Sequence, residues 1–304
     1  MKKFAFYLLI VLLGVAVLDG LNRLAIETAY AHLPENSELM RNSWYIKSCD
    51  AELVILGASR GVYDYNAVML EDSLKMSCHS ISIEGLSVIS QYFTLKNAIA
   101  GGKTKMVIFD ISIAQLSDDW VEDQTSVYYP FYWKNEDVRA FINEQQGLKM
   151  SFLLKSSFIQ YNSTMYDLLY TGFVRKSKDR NGYIALTYTG VPFEYDPTDD
   201  SQRMQINSTA ELYLQKIVDL CKENNIRLVI CDGPRLGYIN QSIDDYLKRI
   251  TTKNQVEFLN FSNYPPIISD LRLFVDPVHV NERGADIFTR ALIDSLKANV
   301  AIGI

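Results

Sequence analysis

Leu53-Val54-Ile55-Leu56-Gly57-Ala58-Ser59-Arg60-Gly61 is the stretch on which the fold turns. Four apolar residues, too few for a helix, stop at a glycine and a serine. A short continuous apolar run bounded by turn residues marks a strand buried on both faces. Comparable runs recur at Ser80–Ile83, Met106–Ile111, Arg227–Cys231 and Val256–Asn260. Between them, apolar residues at three- and four-residue spacing predict helices over Ser87–Ala100, Ala210–Glu223, Ser242–Ile250 and Glu282–Ala298. The alternation implies an α/β domain whose parallel sheet is covered by helices on both faces. In such sheets ligands bind beyond the carboxyl ends of the strands. Ser59 falls at that edge, where glycine permits the tight turn and the serine N–H can face a developing oxyanion. By itself G-x-S is an ordinary turn.

A second motif sits at the other end: Phe274-Val275-Asp276-Pro277-Val278-His279-Val280-Asn281, followed by Gly284-Ala285 and the last helix. A serine hydroxyl is a weak nucleophile until an imidazole takes its proton, and a carboxylate then fixes the tautomer and stabilises the imidazolium. D-x-x-H in one loop supplies both groups. Ser59, His279 and Asp276 are therefore the candidate catalytic residues, whereas His32 and His79 read as structural. The glycine-rich turn also resembles that of short-chain dehydrogenases, but Tyr63 stands where a further glycine would have to admit a pyrophosphate. Tyr92 and Lys96, which have the Tyr-x-x-x-Lys spacing, follow the first strand too soon. No cofactor is expected. With three histidines and no C-x-x-C among Cys49, Cys78, Cys221 and Cys231, no metal is expected either.

Lys2 and Lys3 precede an unbroken apolar run from Phe4 to Leu18, which Leu21, Leu24, Ala25 and Ile26 extend past Asp19, Asn22 and Arg23. Ala29-Tyr30-Ala31 has the small-residue look of a signal-peptide cleavage site, but it lies far beyond the run. An uncleaved anchor needs roughly 17–25 residues, which Phe4 to Ile26 provides. The expected organisation is an anchor over 1–30 and one large domain over 31–304, with the membrane as partner through the N-terminal helix. The lysines favour a cytoplasmic N-terminus and an extracytoplasmic domain. A net charge of -6 with no basic block argues against a nucleic-acid partner.

From about 114 to 205 the alternation breaks. Tyr128, Tyr129, Phe131, Tyr132, Trp133, Tyr161, Tyr166 and Tyr170 make this segment aromatic-rich, with helices expected near Asp137–Glu144 and Lys149–Leu169. The 190–201 stretch carries Pro192, Pro197 and several acids. The segment reads as an insertion between the third and fourth strands, forming a cap or wall, and its aromatic residues at helical spacing read as core.

Serine after the first strand, with D-x-x-H before the last helix, resembles the SGNH/GDSL hydrolase superfamily over about Cys49 to Ala298. The matching stretches are Ile55 to Arg60, His79 to Gly85 and Asp276 to Ala285. The resemblance implies a three-layer α/β/α domain of flavodoxin-like order, with Ser59 as nucleophile, His279 as base and Asp276 as its orienter. It also implies that Gly85 donates an oxyanion N–H beside that of Ser59. The family's third block would place an asparagine after the third strand, where this chain has Phe109-Asp110-Ile111-Ser112. Asn162 is the substitute candidate. His79-Ser80 replaces the usual Tyr-Asn, a departure with no interpretation. Flavodoxin-like order makes the first two strands neighbours, so Cys49 and Cys78 are expected within disulfide range. The implied function is a serine esterase or acyltransferase acting on an acylated envelope carbohydrate or lipid ester. A non-catalytic carbohydrate-binding or assembly component on the same fold is the alternative.

Overall fold

Five short strands form one parallel sheet in this computed structural model: β1 (Leu53–Leu56), β2 (Cys78–Ser80), β3 (Met106–Asp110), β4 (Arg227–Asp232) and β5 (Glu257–Asn260). The structure describes residues 2–31, 48–112, 114–116, 125–162, 180–189, 206–236 and 241–302. The sheet order is β2-β1-β3-β4-β5, the flavodoxin-like order expected. The chain moves one way from β1 to β2 and the other way thereafter. Right-handed crossovers then put the first connecting helices on one face and the later ones on the other.

α2 (Ser59–Tyr63) and α3 (Ala67–Leu74) connect β1 to β2. α4 (Val88–Ala98) connects β2 to β3 and packs on α7 (Ser208–Glu223), which leads into β4. α8 (Gln241–Asn254) leads into β5, and the short α9 (Pro265–Ile268) precedes the final helix α10 (Glu282–Ile302), which packs on α3. Alternate strand residues face the two layers. Leu53, Ile55, Ile108 and Val229 join Phe274, Phe288, Leu292 and Leu296 in one core. Each such fully buried side chain contributes on the order of 1.5–3 kcal/mol.

Two compact units divide the chain: Lys47–Asp123 with Lys178–Ile304, which holds the sheet, and Met1–Ile46 with Gln124–Ser177. In the latter, α1 (Lys2–Ala31) is long and apolar enough to cross a membrane, and every residue from Phe4 to Leu18 is exposed. α5 (Glu136–Leu153) is broken at Gly147, whose φ of 72° and ψ of 179° lie outside the helical region. The expected helix Lys149–Leu169 is accordingly the end of α5, a turn and α6 (Ser157–Gln160), and its remainder falls outside the described residues. Tyr128, Phe131, Tyr132, Phe141 and Tyr161 are buried as core aromatics, whereas Trp133 is exposed, and Tyr166 and Tyr170 lie outside the described residues.

β2 is shorter and earlier than the run Ser80–Ile83 suggested. Its outer edge at Ser80 donates to the Asn181 carbonyl of a small turn closed by Arg180 and Tyr183, where Gly182 lies too close to the Ser80 carbonyl for any side chain. β1 and β2 are neighbours, with Leu53 opposite Cys78. Cys78, expected within disulfide range of Cys49, is a buried thiol held well above its ordinary pKa first by burial, then by the nearby Glu71 and Cys49.

Candidate active site

Gly57 follows the last residue of β1 and packs against Asp110. A Cβ at Gly57 would lie 3.0 Å from the Asp110 Cβ and 3.2 Å from its carbonyl oxygen, so a side chain here would crowd Asp110. Ser59 follows as the first residue of α2, partly exposed at the carboxyl edge of the sheet, where first-turn N–H groups have no partner within the helix. Gly61 packs so closely on Ser82 that any side chain would displace it.

The loop before α10 folds over the same edge. Phe274 and Val280 form an antiparallel bridge, and the Val275 N–H donates to the His279 carbonyl at 3.0 Å. Asp276 organises the turn: its Oδ1 accepts from the N–H groups of Val278 (2.8 Å) and His279 (2.9 Å). Its Oδ2 meets His279 Nδ1 directly at 2.8 Å, and His279 Nε2 lies 2.7 Å from Ser59 Oγ. Burial opposes ionisation of Asp276, but the His279 ring and two backbone N–H groups outweigh it and hold the carboxyl below its usual range. The Tyr63 ring stands edge-on to the imidazole, with centroids 5.6 Å apart, while its hydroxyl donates to Glu84 at 2.5 Å. Asn281 caps α10 by accepting from the Gly284 N–H at 3.1 Å.

A buried ionic layer lies beneath. Arg60 Nε donates to Asp110 at 3.1 Å, Nη1 to Asp232 at 3.0 Å and to the Gly233 carbonyl, and Nη2 to the Ile111 carbonyl at 2.9 Å. Tyr65 donates to the other Asp110 oxygen at 2.7 Å. One guanidinium thus ties together the carboxyl ends of β1, β3 and β4. Burial disfavours its charge, but the two carboxylates more than compensate, and Arg60 stays protonated. Asp110, where the SGNH/GDSL resemblance leads one to expect an asparagine, is instead engaged by Arg60 and Tyr65. Neighbouring Asp64 is fully buried and accepts from the Val280 N–H at 3.2 Å, linking α2 to the His279 loop. Burial drives its carboxyl well above the ordinary value, against the pull of Arg60.

The structure brings Ser59, Asp276 and His279 together. Gly85 has φ +71° in the turn after β2, a backbone conformation that glycine adopts freely. Asn162 belongs to the unit containing α1, where it follows α6 with an exposed side chain. Among the described residues no group of His, Cys, Asp or Glu has the arrangement of a metal site. A cavity of about 800 Å³ lies elsewhere, between α7, α8 and β5, and none of the three residues lines it. Sequence reading gave no role to Arg60 or Asp64. Arginine directly after the serine was the one available cue, but its partners lie 50 and 172 residues away.

No family model and no curated protein matches the sequence. Solved structures do. The chain is similar to a candidate acylhydrolase from Bacteroides fragilis NCTC 9343 at 11% identity, covering 84% of this chain and 94% of that one, with a TM-score of 0.40. It is similar to a GDSL-like lipase from Bacteroides thetaiotaomicron VPI-5482 at 10% identity, covering 89% and 96%, with a TM-score of 0.38. An acetyl xylan esterase, AlAXEase, matches at 13% identity over 82% and 98%, with a TM-score of 0.27. Likeness at this level carries no inference about chemistry. What defines the class is internal to the chain: a parallel α/β sheet with serine, histidine and aspartate in hydrogen-bonded sequence at its carboxyl edge.

Proposed function

We propose that the chain is a membrane-anchored serine esterase or O-acyltransferase of the SGNH/GDSL type, acting through an acyl-Ser59 intermediate. The observation that carries this is the continuous line Ser59 Oγ, His279 Nε2, His279 Nδ1, Asp276 Oδ2, with contacts of 2.7 and 2.8 Å. In the first step Ser59 Oγ attacks the ester carbonyl carbon as His279 Nε2 takes the hydroxyl proton, and Asp276 stabilises the imidazolium. The carbonyl oxygen becomes an oxyanion, for which the N–H groups of Ser59 and Gly85 are the proposed donors. Collapse breaks the bond to the leaving alkoxide, which His279 protonates. Water or an acceptor hydroxyl then attacks the acyl-serine carbonyl and gives its proton to His279; collapse breaks the bond to Ser59 Oγ, which His279 reprotonates as the acid or new ester leaves. The substrate class proposed is an acyl ester of envelope carbohydrate or lipid, because the apolar α1 would hold the site at a membrane.

Labelling of the full-length protein by a fluorophosphonate, and turnover of p-nitrophenyl acetate, should both vanish in Ser59→Ala; turnover should also vanish in His279→Ala. Asp276→Asn should lose about 10²–10⁴-fold in kcat, since its role is orientation and electrostatic support. The committed state of Asp110, which removes the family's third oxyanion donor, favours a non-catalytic binding component as the second reading. A wild-type protein that neither labels nor turns over ester would decide for it.

A further inference from the structure

The polar residues at the end of α1 are a docking stripe. Asp19 Oδ1 accepts from Ser156 Oγ (2.7 Å) and from the Ser157 N–H (2.8 Å), and Asn22 donates to Ser157 Oγ at 2.9 Å. Arg23 donates to Gln160 Oε1 at 2.8 Å and to the Lys155 carbonyl at 3.1 Å, while Tyr161 donates to Glu27 at 3.2 Å. Positions 19, 22, 23 and 26 share one helical face, and Ile26 is buried in it. The insertion is thereby fixed at a definite height along α1: its Ser156–Ser157 end lies level with Asp19, where the apolar run stops.

That height matters. About 20 helical residues cross a hydrocarbon core of roughly 30 Å, which from Phe4 reaches the Asp19–Arg23 level. On either side of the Ser156–Ser157 contact in the chain, the insertion exposes Leu148 (81%), Phe152 (71%), Phe158 (46%) and Ile159 (37%), with Lys149 next to Leu148 in sequence and Lys155 Nζ 5.5 Å over the Phe152 ring. Large apolar side chains facing water are costly, and a cluster of them with lysines alongside is the composition of an interfacial segment. Lysine stems lie along the apolar surface while their ammonium groups reach the headgroups. We propose that the segment 148–159 lies in the membrane interface of the leaflet from which α1 emerges, with Leu148, Phe152, Phe158 and Ile159 inserted among the lipids. The bilayer is the occupant because the segment is hydrogen-bonded to α1 at the point where its exposed apolar run ends. The inference rests on the anchor reading of α1.

The test uses the full-length chain in nanodiscs of phosphatidylcholine and phosphatidylglycerol. A polarity-sensitive fluorophore is placed at Phe152→Cys, Phe158→Cys or, as the span control, Val11→Cys. The four native cysteines are buried, so labelling without denaturant favours the introduced one. Probes at 152 and 158 should lose most of their emission to nitroxide lipids labelled near the headgroup and little to aqueous iodide. The probe at 11 should be quenched by nitroxide placed deep in the acyl chains. Iodide quenching at 152 and 158, with the probe at 11 still reached by lipid, overturns the inference and leaves the anchor standing. Protection from both quenchers means that a protein covers the patch, which also overturns it. A probe at 11 that lipid cannot reach removes the anchor, and the inference with it.

Discussion

Arg60 directs its N–H donors entirely into the protein, toward two carboxylates and two carbonyls. Removing the cation would leave buried Asp110 with its Tyr65 hydrogen bond but no cation, and Asp232 with Arg235 alone at 3.2 Å, and breaking a buried pair costs about 3–5 kcal/mol. Arg60→Met should therefore lower stability by that amount in urea titrations, and Arg60→Lys should restore only part of it, because an ammonium cannot reproduce the planar fork. A near-neutral Arg60→Met would mean the network contributes nothing net. Asp64 behaves differently, since burial raises its pKa against Arg60, with Asp110 and Asp276 adding to the rise. The folded chain then keeps the Asp64 proton over a pH range in which the unfolded chain has lost it. The stabilisation is complete below the ordinary carboxylate range and is lost as pH rises through the raised value. Asp64→Asn retains an oxygen for the Val280 N–H but has no proton to lose. Its Tm should gain on the parent's steadily from acid to alkaline pH, and parallel curves would show that Asp64 titrates normally.

At the start of α10, a Cβ on Gly284 would meet the Leu273 carbonyl oxygen at 2.7 Å and the Val280 Cβ at 2.8 Å. The contact with Leu273 is to backbone, so the loop would have to move. Gly284→Ala should cost about 1–3 kcal/mol as an overpacked site and, by shifting the residue next to His279, should lower kcat. Loss of stability with unchanged kcat would show that the loop holds its place independently. The D-x-x-H motif was legible because every part of it is local: Asp276 reaches His279 across three residues, and Asn281 and Gly284 explain the rest of the pattern. β1, β3 and β4 were equally legible, since strands buried on both faces read as unbroken apolar runs. α3 was not. Its mixed sequence Ala67–Leu74 has little periodicity, and its start is set by Asn66, whose side chain accepts from the Met69 N–H at 3.1 Å. A single capping residue is a weak signal beside the apolar pattern. The ionic layer was illegible for another reason: nothing near Arg60 in the sequence names Asp232, and only the strand order brings them together.

For the whole chain, the decisive question is whether α1 remains attached. A cleaved leader has no place in the folded protein, yet here Asp19, Asn22, Arg23 and Glu27 all bond to the insertion and Ile26 is buried. Cleavage after Ala31 would strip Ser157, Gln160 and Tyr161 of these partners and open an apolar gap where Ile26 packs. Unpaired buried polar groups cost about 1–3 kcal/mol each, so cleavage there should destabilise the unit that α1 forms with the insertion. The full-length protein should accordingly stay with membranes through alkaline carbonate washing. Intact-mass measurement should find residues 2–31 still present. If Lys2 and Lys3 hold the N-terminus inside, a C-terminal tag should be reached by protease from the extracytoplasmic side of intact cells or spheroplasts. A soluble mature chain beginning near His32 would sink the anchor, and a tag reached only after lysis would reverse the orientation while leaving the span in place.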